Sequence, residues 1–329
     1  MSLSDMEVFN TYFMPATIET LAQMVEKFNA ASNGAIVLTT EGFDGDFLQT
    51  SFYAAIQGAR RRVDRYASNT AVNPVDLTQV KHSTVKVAGG FGPVRYEPSQ
   101  MTWLRKPTAE GVEVASRFFA EALLQDQLNT AISALVAAIS NQGTAATVDV
   151  STGSNAKVVD YAAVNSSHAL FGDHSAQIVA QVMDGVQYHH FIGQNLANNA
   201  NLFQAGNVRV IDILGRPAIV TDAPALFSAA VTSPATPAKR RVLSLVTGAA
   251  TVHDGRNLVS NIQTSNGKER IETTLQIDYD FGVGLKGYAW DEANGGKSPT
   301  DAELATGSNW DRIATDIKHT AGVLAVGLA

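Results

Sequence analysis

The sequence predicts an α+β fold, and three stretches carry the prediction. Between Pro107 and Gly143, Val112, Ala115, Phe118, Phe119, Ala122, Leu124, Leu128, Ala131, Ile132, Leu135 and Ile139 recur at helical spacing with no proline among them. Such a helix would be on the order of 50 Å long, far above the usual length. Between Lys268 and Phe281 (KERIETTLQIDYDF), Ile271, Thr273, Leu275, Ile277 and Tyr279 alternate onto one face, the period of a strand. Between Leu77 and Trp103, two β-rich arms meet at Ala88-Gly89-Gly90-Phe91-Gly92-Pro93, which reads as a long hairpin.

The remaining elements come in order along the chain. A short N-terminal arm precedes a helix over Thr17–Ala31, with Ile18, Leu21, Met24, Val25 and Phe28 on one face, Thr17 as N-cap and Asn33-Gly34 as the stop. A strand spans Ala35–Thr40. A second helix is expected from about Gly45 to Tyr66, turning Phe47, Leu48, Phe52, Ala55, Ile56 and Ala59 inward. Arg60, Arg61, Arg62 and Arg65 crowd its last turns, where cations oppose the negative end of the helix dipole or meet a neighbouring subunit; a phosphate or acidic-partner patch is the alternative. Both faces of the 77–103 hairpin mix polar and apolar residues, so neither reads as a core face. An isolated hairpin is marginal in water, so this one is expected to lie against another molecule. Replacing residues 81–97 by a short linker is then expected to spare the fold and abolish assembly.

Beyond the long helix, Ala145–Ala163 is polar and β-prone. Asp173-His174 opens a helix whose stripe is Ile178, Val179, Val182, Met183 and Val186. Asn207–Leu226 (NVRVIDILGRPAIVTDAPAL) places two apolar β-rich runs around Gly215-Arg216-Pro217 and ends on the polar loop Thr221–Pro224. A loop from Ser228 to Ala238 leads to a strand over Arg240–Thr247. Further strands span Val283–Trp290 and Gly322–Leu328. No internal repeat is found.

The 329 residues carry a net charge of −7, which gives no whole-protein attraction to nucleic acid. With no cysteine, disulfides, thiolate metal sites and cysteine nucleophiles are excluded, and a reducing compartment is suited. Charged residues reach only 17 %, below the usual quarter, as expected of a surface largely covered by neighbours. No apolar run is expected to cross a bilayer. MSLSDMEVFNTYFMP has neither a basic start nor an apolar core and does not read as a secretory signal, so Asn165-Ser166-Ser167 lacks a glycosylation context.

The chemical motifs are weak. Gly282-Val283-Gly284-Leu285-Lys286-Gly287 spells GxGxxG, but a dinucleotide needs a strand feeding a helix N-terminus, and Tyr288-Ala289-Trp290 is β-prone. The glycines read better as a bend between two strands. His189 and His190 point about 100° apart on a helix and cannot easily share a metal. Ser166, Ser167, His168, Asp173 and His174 cluster in sequence, yet no GxSxG elbow accompanies them. Asp44-Gly45-Asp46 lacks the rest of a calcium loop. No catalytic, cofactor-binding or metal-ligating residue is assigned, and no cofactor is expected.

The order of features resembles the major capsid protein of tailed bacteriophages, whose shell fold is shared with herpesvirus capsids and encapsulins. The hairpin over Leu77–Trp103 looks like that fold's extended loop, and Thr108–Gln142 like its spine helix. DILGRPAIVTDAPAL is similar to an axial-domain strand leading to a proline-bearing loop, and RIETTLQIDYDFGVGLKGYAW to the returning peripheral strands. The resemblance implies an N-terminal arm with peripheral-domain helices over 1–72, an extended loop over 73–106 and a spine helix over 107–144. It further implies an axial domain over 145–266, and peripheral strands with a C-terminal tail over 267–329.

The implied function is mechanical: pentamers and hexamers close an icosahedral shell around packaged double-stranded DNA. The implied partners are further copies, DNA contacted non-specifically on the inner face, a portal, and scaffold or decoration proteins, with no membrane. The implied place is the virion, after assembly in the host cytoplasm. Asn207–Leu226 then becomes stiff scaffolding around a symmetry axis. The fold starts by Thr17, so proteolytic removal of an N-terminal segment is not expected. Lys81 and Lys86 lie where some relatives form isopeptide links, but no motif assigns a partner asparagine. Residues 292–329 extend past the usual end. The alternatives are an encapsulin-type compartment, another virion structural protein, and a cytosolic enzyme using the GxGxxG run.

Overall fold

A computed structural model describes residues 3–53, 61–68, 71, 74, 79–96, 108–198, 216–232, 235–255, 257–267 and 269–329. The first helix, α1 (Leu3–Ala31), starts well before Thr17 and carries Pro15 inside it, so the expected short arm is helical. It stops at Asn33 and Gly34, whose φ angles are +52° and +67°, the left-handed termination the sequence implies. β1 (Ile36–Gly42) comes next, and Gly45 turns the chain at φ +91°.

Three expectations fail in this region. The helix over Gly45–Tyr66 is instead strand β2 (Phe47–Tyr53), antiparallel to β3 (Gln79–Tyr96) from Phe47↔Val85 to Tyr53↔Gln79. Phe47, Leu48 and Phe52 satisfy either period, and the pairing partner decides. Residues 61–68 are exposed and not helical, so Arg61, Arg62 and Arg65 do not lie in the last turns of a helix; Ala55, Ile56, Ala59 and Arg60 lie outside the described residues.

The second failure is the bend at Ala88–Pro93. β3 continues through it as one 18-residue strand, paired with β13 (Glu272–Leu285) from Thr273↔Tyr96 to Val283↔Val85, with only a register shift between Phe91 and Val94 where Gly92 takes φ +103°. Its glycines serve close approach: a Cβ on Gly89 would sit 2.9 Å from the Tyr279 ring, and one on Gly90 2.8 Å from Asp278 Oδ1. The third is the absence of a core face, since Val85 and Val87 are buried in the main hydrophobic cluster. Residues 77, 78 and 97–103 of the expected hairpin lie outside the described residues.

The long helix is present as α2 (Thr108–Ser140), 33 residues without proline. Ser116–Ser140 is, against expectation, long and apolar enough to span a bilayer. Its Ala131, Ile132, Leu135 and Ile139 are instead buried in the cluster that joins both sheets.

One sheet runs β1, β11 (Ala250–Asp254), β13, β14 (Tyr288–Trp290) and β15 (Trp310–Arg312), with β12 (Val259–Ser265), β2 and β3 attached through β13 and β3. The other runs β4 (Thr147–Asp149), β16 (Gly322–Leu328), β10 (Lys239–Val246), β5 (Ile178–Met183) and β6 (Ala218–Val220), with β7 (Phe227–Ser228) on β10. β8 (Val231–Thr232) and β9 (Ala235–Thr236) form a small ribbon within the expected loop. β5 replaces the helix expected after Asp173-His174. Lying between β10 and β6 and buried nearly throughout, it shows an apolar run broken only by Gln181, which periodicity cannot tell from a helix. α3 (Tyr161–Ala169) and α4 (Gly185–Asn198) flank this sheet, α3 being capped by the Asp160 side chain on Ala163 N. Only the second of the two runs in Asn207–Leu226 is described, as β6, parallel to β5.

Residues 292–329 are no peripheral tail. α5 (Asp301–Leu304) opens on a capping box from Thr300 and Glu303, Trp310 is 1 % exposed, and β16 runs antiparallel to β10 and parallel to β4. β11 and β12, placed by sequence with the 145–266 segment, pair with β13 instead.

Candidate functional site

The GxGxxG run lies in β13 and the tight turn into β14. Gly282 and Gly284 are in the paired strand, and Gly287, at φ +78°, makes the turn. The run leads into β14 and not into a helix N-terminus. A Cβ on Gly282 would come 2.3 Å from the Phe43 ring, and one on Gly284 2.6 Å from Thr84 Oγ1. These positions are glycine because neighbouring side chains lie against the strand. The bend expected of all three belongs to Gly287 alone.

The serine, histidine and aspartate cluster does not assemble. Ser167 Oγ donates to Val164 O at 2.7 Å, Asp173 accepts from Lys318 Nζ at 2.7 Å, and His174 packs edge-on to His319. His168 turns away from all of them into the protein. Its Nδ1 is 2.7 Å from Arg216 Nη1 and its Nε2 3.0 Å from Ser244 Oγ, while Arg216 Nη2 donates to Ser175 O. A guanidinium only donates, so Nδ1 accepts, the ring proton sits on Nε2, and Ser244 receives it. Sequence reasoning missed Arg216 and Ser244 because they are 48 and 76 residues from His168.

Burial and then the Arg216 charge push the His168 pKa down from 6.5 to about 4. The folded state therefore binds this proton less readily than the unfolded chain. The stability this neutral histidine allows is complete above pH 6.5 and is lost as pH falls towards 4, by up to about 3 kcal/mol. Melting temperatures at pH 7 and pH 4.5 test this: His168→Gln is expected to flatten the decline between them. An unchanged slope would show that His168 does not set it.

His189 and His190 lie on α4, the first beside the Tyr188 ring and the second 3.0 Å from Gln194 Nε2. Among the described residues no group of three histidine or carboxylate side chains could hold a metal ion. Asp46, in the turn before β2, faces Lys297 at 3.9 Å. Both hairpin lysines are engaged within the chain. Lys81 Nζ (2.6 Å), Gln49 Nε2 (2.8 Å) and Ser83 Oγ (3.2 Å) converge on Glu292 Oε1, and the Lys81 hydrogen bond leads the causes holding that carboxyl below its usual range. Lys86 reaches Asp280 at 3.7 Å and lies over the Phe43 ring.

An open groove of about 860 Å³ runs along the polar side of α2, bounded by Asp126, Ser133, Asn141, Arg241 and Asp301. A smaller one of about 270 Å³ lies between α1, α2 and β11. Neither brings a nucleophile to a base. Large apolar side chains are left exposed on and beside one sheet: Val94 on β3, Val259 on β12 and Ile271 just before β13.

Comparison with solved structures places this architecture among phage shell subunits. It is similar to the capsid asymmetric unit of cyanophage Pam1 (TM-score 0.53, 12 % identity, 89 % of this chain and 88 % of that one). It is also similar to the capsid of Ralstonia phage GP4 (TM-score 0.50, 11 %, 91 % and 88 %) and to the acid-stable capsid of Helicobacter pylori bacteriophage KHP30 (TM-score 0.50, 10 %, 91 % and 89 %). A search of curated proteins finds no match. The chain belongs to the major capsid protein 13-like family, whose model matches residues 5–324. It is a structural protein of the virion shell and not an enzyme.

Proposed function

We propose that this chain closes an icosahedral shell, as pentamers and hexamers, around packaged double-stranded DNA. The family match over residues 5–324 is the observation that carries the reading. The long α2 and the apolar side chains exposed on and beside the β3–β12–β13 sheet suit a subunit whose surface is largely covered by its neighbours. In this reading the first sheet with α2 is the peripheral domain, and the second sheet with α3 and α4 is the axial domain. The β2–β3 hairpin is the extended loop. Relative to the division read from sequence, residues 250–265 move to the peripheral domain and β16 to the axial one. DNA is contacted non-specifically on the inner face, with no whole-protein attraction from a net charge of −7, and a portal occupies one vertex. Electron microscopy of the purified protein is expected to show closed shells of uniform size. A monodisperse monomer or dimer across salt and concentration would overturn the reading, and an enzyme cargo in place of DNA would move it to a compartment shell.

A further inference from the structure

An asparagine followed by glycine can modify itself in water. The glycine amide nitrogen loses its proton and attacks the asparagine side-chain carbon Cγ. The new C–N bond closes a cyclic imide, and the Cγ–Nδ2 bond breaks with release of ammonia. Water then opens the ring at either carbonyl, leaving aspartate or its backbone-extended isomer, isoaspartate. Glycine favours the step because no Cβ shields its nitrogen. A folded chain blocks it where that N–H is held in a hydrogen bond or the turn is packed, because the backbone must bend to close the ring.

The sequence holds three such pairs, Asn33-Gly34, Asn266-Gly267 and Asn294-Gly295. Two of them are held. Gly34 N donates to Asn29 O at 3.3 Å and Gly34 O accepts from Gly248 N at 2.7 Å, so the stop of α1 is tied on both sides. Gly295 N donates to Asp291 O at 2.8 Å, and Asn294 Nδ2 donates to Asp291 Oδ2. A Cβ on Gly295 would come 2.2 Å from the Trp290 ring, so this turn is packed as well.

Asn266-Gly267 differs on each count. It lies in the connection between β12 and β13, and both residues are exposed. Among the described residues neither the Asn266 side chain nor Gly267 N has a hydrogen-bond partner. Gly267 takes φ +99°, and a Cβ there would meet nothing within 4 Å. The room that the cyclic imide needs is present without disturbing either strand.

We propose that Asn266-Gly267 is a self-modification site, at which water converts the asparagine to aspartate and isoaspartate while the fold spares Asn33 and Asn294. Each conversion replaces a neutral amide with a carboxylate. The carboxylate arises in the connection that brings Ser265 opposite Glu272, which is itself paired with Arg95 at 3.2 Å. A population of chains thereby ages into members that differ by a negative charge at one exposed turn. The inference rests on this chain's own geometry and stands apart from the shell reading.

The test incubates the purified full chain at mildly alkaline pH, folded and in urea, and then digests it with trypsin in heavy-oxygen water, which labels any conversion during digestion. Fragment masses read the three asparagines separately, and Asn257 and Asn261, in the same tryptic peptide as Asn266, serve as internal controls. In the folded chain Asn266 is expected to convert at least about tenfold faster than Asn33 or Asn294, a barrier difference of about 1.4 kcal/mol. In urea the three rates are expected to converge. Asn266 converting no faster than the other two in the folded chain would overturn the proposal. So would the same separation of rates in urea, which would place the cause in local sequence and not in the fold. Asn266→Gln, whose longer side chain closes the imide poorly, gives a second readout. The acidic band that accumulates on isoelectric focusing of the unaltered chain is expected to be lost, and an undiminished band would overturn the assignment to Asn266.

Discussion

Replacing residues 81–97 by a short Gly-Ser linker is expected to abolish cooperative folding, where the sequence alone suggested that only assembly would suffer. β3 is paired along its whole length, with β2 from Gln79 to Val85 and with β13 from Val85 to Tyr96. Removing it strands β2 without a partner and opens one flank of β13. It also takes Val85 and Val87 out of the core; each fully buried valine stabilises by roughly 1.5–3 kcal/mol, before any hydrogen bonds are counted. The total exceeds a large part of the stability of an ordinary domain. The measurement is a thermal melt followed by circular dichroism in the near ultraviolet. A sharp transition with native-like aromatic signal in the linker variant would show that the sheet closes without β3.

Trp310→Ala is expected to cost about 3–5 kcal/mol, the usual range for emptying the place of a buried tryptophan. The ring is 1 % exposed, stands edge-on to Trp290 at 4.9 Å between centroids, and donates its Nε1 proton to Leu304 O at 3.0 Å. Truncation therefore leaves a void, an unpaired carbonyl and a loosened β14–β15 pair, in which Trp290 and Trp310 are directly opposite. Chemical denaturation of the variant gives the free energy. A loss below about 1 kcal/mol would mean that residues 292–329 are an appendage after all.

Two of the elements read correctly from sequence announce themselves without reference to partners. α2 shows sustained helical spacing with no proline, and β13 alternates over a dozen residues between turn signals. β16 is equally plain, an apolar run entered at a glycine. The errors share a cause. Phe47, Leu48 and Phe52 fit a helix face as well as a strand, and only β3, some 30 residues on, decides between them. Ile178 to Met183 is apolar but for Gln181 because β10 and β6 flank it and its residues are buried on either face, which removes the alternation that marks a strand. Gly89 and Gly90 look like a turn because the residues that need their missing side chains, Tyr279 and Asp278, come from β13. That the GxGxxG run opens no helix is legible in the β-prone Tyr288-Ala289-Trp290 directly after it. The His168–Arg216–Ser244 contact is not legible, because nothing local ties the three together.

The place of β16 in its sheet bears on when, during synthesis, this subunit becomes fit to meet others. β10 and β4 both leave the ribosome long before Gly322, and β16 is the strand that lies between them. At roughly 5–20 residues per second, a growing chain holds β10 open on that side for about 4–15 s. A chain that stops before Gly322 lacks β16, and its β4 and β10 have no strand between them.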